Sequence, residues 1–385
     1  MFGFGQREIQ DRFSLDALGK TYHFVPPRFG RMIPALLHRC LPFYMNRKYG
    51  IEQWEVRGSD LLKASMNDGN GIVLSPNHSR DSDSLGIGFI ATKNKMPLHF
   101  MAGWHVLLES RFQHFIIPRA GGFSILREGK DRQSVRTAID LVASATRPLI
   151  IFPEGYVTRT NDQLGILQEG VTLIARRAAS QRSKNRNGST VIHPVIIKYQ
   201  FLGDLEKEVT PKFRLLEKKL CLPDNTSLDF VARLKQIREG IIKYREQKLN
   251  GKAFDGPLDK RVPELIKALL KPLEKMWECT GNSEDVYRRV QQLRTMILNH
   301  AVTSNTPKHK QDQMRSQLGD CTWALKLSNY NPDYVAEEPC IERVMETLDG
   351  FEEDVLGWTK RCIGSSETIK LFLDGLREAG VAVSD

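Results

Sequence analysis

The side chains of this sequence best suited to moving a proton are His78 and Asp83, in the run Asn77-His78-Ser79-Arg80-Asp81-Ser82-Asp83. An imidazole accepts a proton near neutral pH, and a carboxylate beside it fixes its tautomer and stabilises the imidazolium. The spacing sets a condition. Five residues on a regular helix turn through about 140°, which points the two side chains apart. The pair therefore works only with His78 in a turn and Asp83 in the first turn of a helix that follows. The residues before it supply such a turn: Gly71-Ile72-Val73-Leu74-Ser75 reads as a short buried strand, and Pro76 ends it. The end of a strand is where function collects in α/β folds. The same residues also suit a solvated loop and an acidic helix start, so the pair gains its meaning from what accompanies it.

Three further segments follow in order: Gly121-Gly122-Phe123-Ser124-Ile125-Leu126-Arg127, then Ile150-Ile151-Phe152-Pro153-Glu154-Gly155 with Arg159 beyond it, then His193-Pro194-Val195-Ile196-Ile197. With His-x-x-x-x-Asp, this set resembles the four sequence blocks of the glycerolipid acyltransferases, the family of glycerol-3-phosphate and 1-acylglycerol-3-phosphate acyltransferases. The resemblance spans about residues 71–200. It implies His78 as general base and Asp83 as its orienting partner. It also implies Arg127 as a contact to the acceptor's phosphate, Glu154 and Gly155 as residues shaping the acceptor site, and Pro194 beside the acyl-donor site. The family commonly continues Phe-Pro-Glu-Gly with Thr-Arg-Ser, whereas this chain has Tyr156-Val157-Thr158-Arg159. Val157 fills the first arginine position, and Arg159 matches a second basic position. The departure bears on the acceptor's identity and leaves the His–Asp chemistry intact.

The residues support that chemistry on their own. Acyl transfer to a hydroxyl needs a base for the alcohol proton and a means of holding an oxyanion. With a thioester donor it needs no metal, cofactor or covalent intermediate. The sequence has no Gly-x-Ser-x-Gly elbow for a serine nucleophile and no Cys-x-x-Cys or His-x-x-x-His cluster for zinc. An arginine fork binds phosphate bidentately, which suits Arg127 and Arg159. The expected co-substrates are an acyl thioester of coenzyme A or acyl carrier protein and a phosphorylated glycerol or lysophospholipid. Two competing readings remain: a non-catalytic membrane-binding protein that keeps the fold, and a metal-dependent phosphohydrolase using His78, Asp81 and Asp83.

The chain has 385 residues and a formal net charge of +10, and the charge is uneven. Residues 221–385 hold 24 Lys and Arg against 26 Asp and Glu, so the whole excess lies on the half with the motifs. Residues 21–51 contain Arg28, Arg31, Arg39, Arg47 and Lys48 and no acid, interleaved with Phe29, Met32, Leu36, Leu37, Phe43 and Tyr44. That pattern suits a helix, or a helix pair broken at Pro34 and Pro42, lying in an anionic membrane interface. Residues 176–186 are also basic and fit either a phosphate contact or an ordinary helix end. No apolar run reaches the ~18–20 residues that span a bilayer, and charges at residues 6–12 give the N-terminus no signal-peptide pattern. Six scattered cysteines fit reduced thiols. The expectation is a cytoplasmic protein, peripheral on the inner face of a membrane. The basic surface lacks the features of a nucleic-acid module, so no nucleic acid is expected as a partner.

The elements that must position the site follow from periodicity. Residues 98–101, 114–118, 148–152 and 191–199 read as strands, and Asp131 to Ala145 reads as a helix. Such alternation predicts an α/β fold: a mixed sheet flanked by helices. Beyond about residue 220 the pattern is helical, with apolar faces Leu265–Leu269–Leu273–Trp277, Val286–Val290–Leu293–Ile297 and Ile341–Val344–Met345–Leu348–Phe351. The predicted organisation is a basic amphipathic segment over 1–50, an acyltransferase-like α/β domain over 51–220 and an all-helical extension over 221–385. His99, His105 and His114 are expected to be structural or surface residues.

Overall fold

The computed structural model describes residues 22–126, 131–185, 188–223, 226–279, 285–303, 307–328, 333–356 and 367–373. In chain order its elements are α1 (Met32–Tyr49), β1 (Ile51–Arg57), α2 (Ser59–Asn67), β2 (Gly71–Pro76), α3 (Asp83–Gly86), α4 (Gly88–Asn94), β3 (His99–Gly103), α5 (Trp104–Leu108), α6 (Arg111–Arg119), β4 (Gly122–Ile125), α7 (Arg132–Ser144), β5 (Leu149–Ile150), α8 (Gly170–Lys184) and β6 (Thr190–Phe201). Then come α9 (Leu205–Lys219), α10 (Phe230–Asn250), α11 (Leu258–Met276), α12 (Val286–Thr303), α13 (Lys308–Ser328), α14 (Tyr334–Glu337), α15 (Ile341–Leu356) and β7 (Glu367–Phe372). Residues 204–360 make one compact unit; residues 23–203, joined by β7, make the other.

The second of these is an α/β unit around a seven-stranded sheet of order β1-β7-β6-β2-β5-β3-β4. Strands β2 to β6 are parallel; β7 runs antiparallel to β6, and β1 lies parallel to β7. Helices cover both faces, which explains why β2 is apolar without interruption. Its side chains still alternate. Ile72 and Leu74 join a core with Met45, Leu62, Phe89 and Ile90 on one face, while Val73 joins Ala138, Val142, Leu149 and Ile174 on the other. The long β6 pairs twice, through Thr190–Val195 with β2 and through Ile196–Phe201 with β7.

Two expectations are corrected, and one pair of alternatives is decided. Residues 114–118 are helical, inside α6, not a strand. Ser110 caps that helix by accepting from the Gln113 N–H at 3.1 Å, and a short apolar run does not by itself distinguish strand from helix. Residues 32–49 form one continuous helix despite two prolines. Pro34 sits in the first turn, where no helical N–H is needed. Pro42 removes the donor to the His38 carbonyl, and the Thr92 hydroxyl bonds that carbonyl instead at 3.4 Å. Finally, residues 221–385 are not all helical, because β7 inserts between β1 and β6. Ile369 and Leu371 are buried there and Lys370 is not, a period of two in too short a stretch to stand out in sequence.

The helical unit begins at Asp204, whose side chain caps α9 by accepting from the Lys207 N–H. Its predicted apolar faces are core except at their ends: Leu265, Leu269 and Leu273 on α11, Val290, Leu293 and Ile297 on α12, and Val344, Met345, Leu348 and Phe351 on α15 are buried, whereas Trp277 and Val286 are half-buried and Ile341 is exposed. Buried ion pairs stitch its helices. Arg233 on α10 grips Glu217 on α9 with two bonds of 2.8 Å, and Arg261 on α11 grips Glu246 on α10 at 3.0 and 2.7 Å. Lys212 on α9 lies 2.5 Å from Asp349 and 3.0 Å from Glu352 on α15.

Candidate active site

Of the polar residues singled out by the sequence, His78, Asp83, Glu154 and Arg159 meet where β2 and β5 end, at the carboxyl edge of the parallel strands. Residues 77–82 follow β2, and residues 151–169 follow β5. Asn77 fixes the first of these loops. Its side-chain amide donates to the Ile197 carbonyl at 3.1 Å and accepts from the Ile197 N–H at 2.6 Å, extending the β2–β6 ladder by one side chain. Asn161 does the same one step further on, bonding the carbonyl and N–H of Tyr199 at 3.3 and 3.2 Å. Two carboxamides thus satisfy the stretch of β6 edge that β2 leaves uncovered.

His78 lies in the loop and Asp83 opens α3, the arrangement their spacing requires. Asp83 is 0 % exposed. Its Oδ2 stands 3.2 Å from His78 Nδ1 and accepts from the Arg80 N–H at 2.7 Å. A carboxylate only accepts, so Nδ1 carries the imidazole proton and Nε2 keeps its lone pair. Nε2 has no hydrogen-bond partner among the described residues, and the side chain keeps 10 % of its surface exposed. The ring packs against Phe152, centroids 4.3 Å apart, which fixes its plane.

Tyr199 completes the support of Asp83. Its hydroxyl donates to Asp83 Oδ1 at 2.5 Å and meets Ser82 Oγ at 2.8 Å. Burial, reinforced by the Asp83 charge, holds the phenol well above its usual range, so it stays protonated as a donor. Its single proton goes to Asp83, and Ser82 therefore donates to Tyr199. The Arg80 guanidinium lies over the Tyr199 ring, 4.1 Å from its centroid.

Glu154 is also 0 % exposed. One carboxylate oxygen accepts from the His78 N–H at 2.6 Å, the other from the Gly165 N–H at 2.7 Å. Burial raises its pKa, and the two N–H bonds oppose that rise. It shapes the site by holding two loops and presents no oxygen to a ligand. Gly155 has φ +73°, a left-handed conformation natural to glycine, and a Cβ there would run into the Gln168 side chain. Residues 158–159 lie against the His78 loop: the Thr158 N–H donates to the His78 carbonyl at 2.8 Å, and Arg159 Nη2 lies 3.7 Å from Asp81 Oδ2. Asp81 thus faces Arg159 instead of joining Asp83 on His78, which speaks against the metal-hydrolase set. Among the described residues, no His, Cys, Asp and Glu side chains gather in threes to hold a metal.

Arg127 lies outside the described residues. Pro194 sits in β6 opposite Ser75, and the neighbouring His193 is structural, with Nε2 2.9 Å from Ser65 Oγ. In the second basic stretch, Arg182 is buried and binds the carbonyls of Ser189, Ala143 and Gly69, so that arginine closes a helix end. Sequence reasoning missed Asn77, Phe152, Asn161 and Tyr199 as site residues. Asn77 and Phe152 stand inside the motif segments without a task of their own, and Tyr199 leaves a different trace: it shares the buried face of β6 with Val195 and Ile197, a polar tip in an apolar register.

This geometry carries the chemistry of a general base with a fixed tautomer, and the comparison with known proteins agrees in class. A family model described as Acyltransferase matches residues 53–198, from β1 into β6. The stretch holding all four motif segments thus matches an acyltransferase domain, which supports an acyltransferase role. No curated protein matches the chain.

Proposed function

We propose that the protein moves a fatty acyl group from a thioester of coenzyme A or acyl carrier protein to a hydroxyl of a phosphorylated glycerol or lysophospholipid, in phospholipid synthesis or remodelling at an anionic membrane surface. The observation that carries this reading is the His78 imidazole, held by Asp83 through Nδ1 with Nε2 left unpartnered. Nε2 takes the acceptor's hydroxyl proton as that oxygen attacks the thioester carbonyl. The tetrahedral intermediate collapses, the carbon–sulfur bond breaks, and the departing thiolate takes the proton from His78. Asp83 stabilises the imidazolium between these steps. Arg159, beside Asp81 at the rim, is the basic residue suited to the acceptor's phosphate, and the family resemblance assigns Arg127 the same task.

The membrane reading rests on α1 and α6. Met32 is 87 % exposed, and Leu36, Phe43, Phe112 and Phe115 also stand in solvent. On α1 the apolar residues recur with Arg39 and Arg47 at helical spacing, the composition of an interfacial helix. No described helix is long and apolar enough to cross a membrane. A protein of this kind works at the cytoplasmic face, where anionic lipids concentrate.

The test incubates purified protein with palmitoyl-coenzyme A or palmitoyl acyl carrier protein and a panel of glycerol phosphate and lysophospholipids, with products read by mass. Acylated product from the wild type and none from His78→Ala is the expected result. Binding to anionic vesicles without thioester consumption would favour the non-catalytic alternative.

A further inference from the structure

Beyond Glu154 the chain brings to the site an apolar surface that the proton chemistry leaves unused. Leu164, Ile166 and Leu167 keep 46, 47 and 57 % of their surface exposed. They surround Gly165, whose position is fixed. Its N–H is held by Glu154 Oε2, and a Cβ there would stand 2.7 Å from that oxygen, 2.8 Å from Thr158 Cγ2 and 2.9 Å from the Tyr156 hydroxyl. Gln168 closes the loop from its far side, its backbone N–H donating to the Pro153 carbonyl and its side-chain amide to the Glu154 carbonyl. Since the other Glu154 oxygen holds the His78 N–H, a single buried carboxylate spans from the imidazole residue to the apolar loop.

A lone exposed leucine needs no explanation. Three within four residues, pinned one carboxylate from His78, do. Residues 163–168 carry no charge, unlike α1, where arginines interleave with the apolar residues. That difference separates a surface for hydrocarbon alone from one for charged headgroups. The reaction also sets a requirement: the hydrocarbon chain of a thioester at His78 needs apolar surface near it.

We infer that the loop seats the acyl chain of the thioester, and that Leu164, Ile166 and Leu167 give the site its preference for long chains. Contact there takes apolar surface on loop and chain out of water together, so preference grows with chain length. The inference rests on the acyl-transfer reading and names the substrate contact of that same site.

Equilibrium binding of palmitoyl-coenzyme A and butyryl-coenzyme A to the full chain tests it, below the concentration at which the longer thioester forms micelles. The wild type should favour the palmitoyl chain by about tenfold or more. Leu164→Ser/Ile166→Ser/Leu167→Ser should lose most of that preference, weakening palmitoyl binding far more than butyryl binding. Should the triple variant fold poorly by its thermal midpoint, Leu167→Ser alone should lose a smaller part, about several-fold. A wild type indifferent to chain length, or a variant that keeps the wild-type preference, overturns the inference. A variant that keeps the preference but loses binding to phosphatidylglycerol vesicles overturns it too, and marks the loop as a membrane contact. Chain preference in a wild type that forms no acylated product counts against the proposed function alone.

Discussion

In the helical unit, the buried carboxylates of Glu217 and Glu246 each meet an arginine in two parallel bonds. In the site, the buried carboxylates of Asp83 and Glu154 meet backbone N–H groups, a phenol and an imidazole, and neither pairs with a lysine or arginine among the described residues. The difference separates holding from responding. An arginine compensates a carboxylate permanently, and the pair fixes helix to helix. A carboxylate held by dipoles keeps its charge uncompensated: Glu154 holds two loops in this way, and Asp83 gains a full partner only when the imidazole beside it takes a proton. One arrangement suits a scaffold, the other a group that must stabilise a transient cation.

The sharpest way to break this contrast is to remove the imidazole. His78→Ala should lower turnover per folded molecule by about 10²–10⁴, well beyond any loss of stability from removing a ring packed on Phe152. Next in size, Arg233→Ala leaves Glu217 buried and unpaired. It should cost about 3–5 kcal/mol of stability by denaturant titration and leave turnover per folded molecule unchanged. A variant that loses turnover but not stability would mean that the two kinds of carboxylate do not divide the labour as described. Tyr199→Phe removes one donor from Asp83, and a hydrogen bond of this kind contributes about 0.5–1.5 kcal/mol. Turnover should fall by roughly tenfold or less, with KM nearly unchanged, because Tyr199 touches Asp83 and not substrate.

The smallest effect sets His78 against His99, a histidine with no carboxylate. His99 is fully buried, with Nδ1 2.9 Å from the Gly121 carbonyl. Burial holds its pKa below the ordinary 6.5, as it does for His193. The unfolded chain therefore takes up a proton at higher pH than the folded one. The stability tied to His99 is full above 6.5 and is lost as pH falls through and below that value. Denaturation at a series of pH values should show this decline, and His99→Gln should flatten it while lowering stability at neutral pH.

Much of the site was legible because it is local. The strand before His78, the turn after Pro76 and the helix start at Asp83 follow from a dozen consecutive residues. So does α7, expected over 131–145 and capped in fact by Asp131, which accepts from the Ser134 N–H at 3.0 Å. The rest depends on residues distant in sequence. Nothing near Tyr199 in the chain announces that its hydroxyl reaches Asp83, or that Asn77 and Asn161 complete the edge of β6. Glu154 was legible as a site residue through its motif, but its task of bridging His78 and Gly165 depends on how two loops fold back. β7 failed to register for the same reason: a strand with two buried side chains is defined by its neighbours, not by its own composition.

Those neighbours lie far away along the chain. β1 is complete at Arg57 and the first half of β6 finds β2 at once, yet the partner of both β1 and residues 196–201 is made only after the whole helical unit. During synthesis the acyltransferase domain therefore waits with two open ladders, the condition that invites pairing with another chain. Residues 53–198 expressed alone would inherit that condition permanently. A strand of six residues at 367–372 thereby acts as the closing stitch of a sheet begun at residue 51.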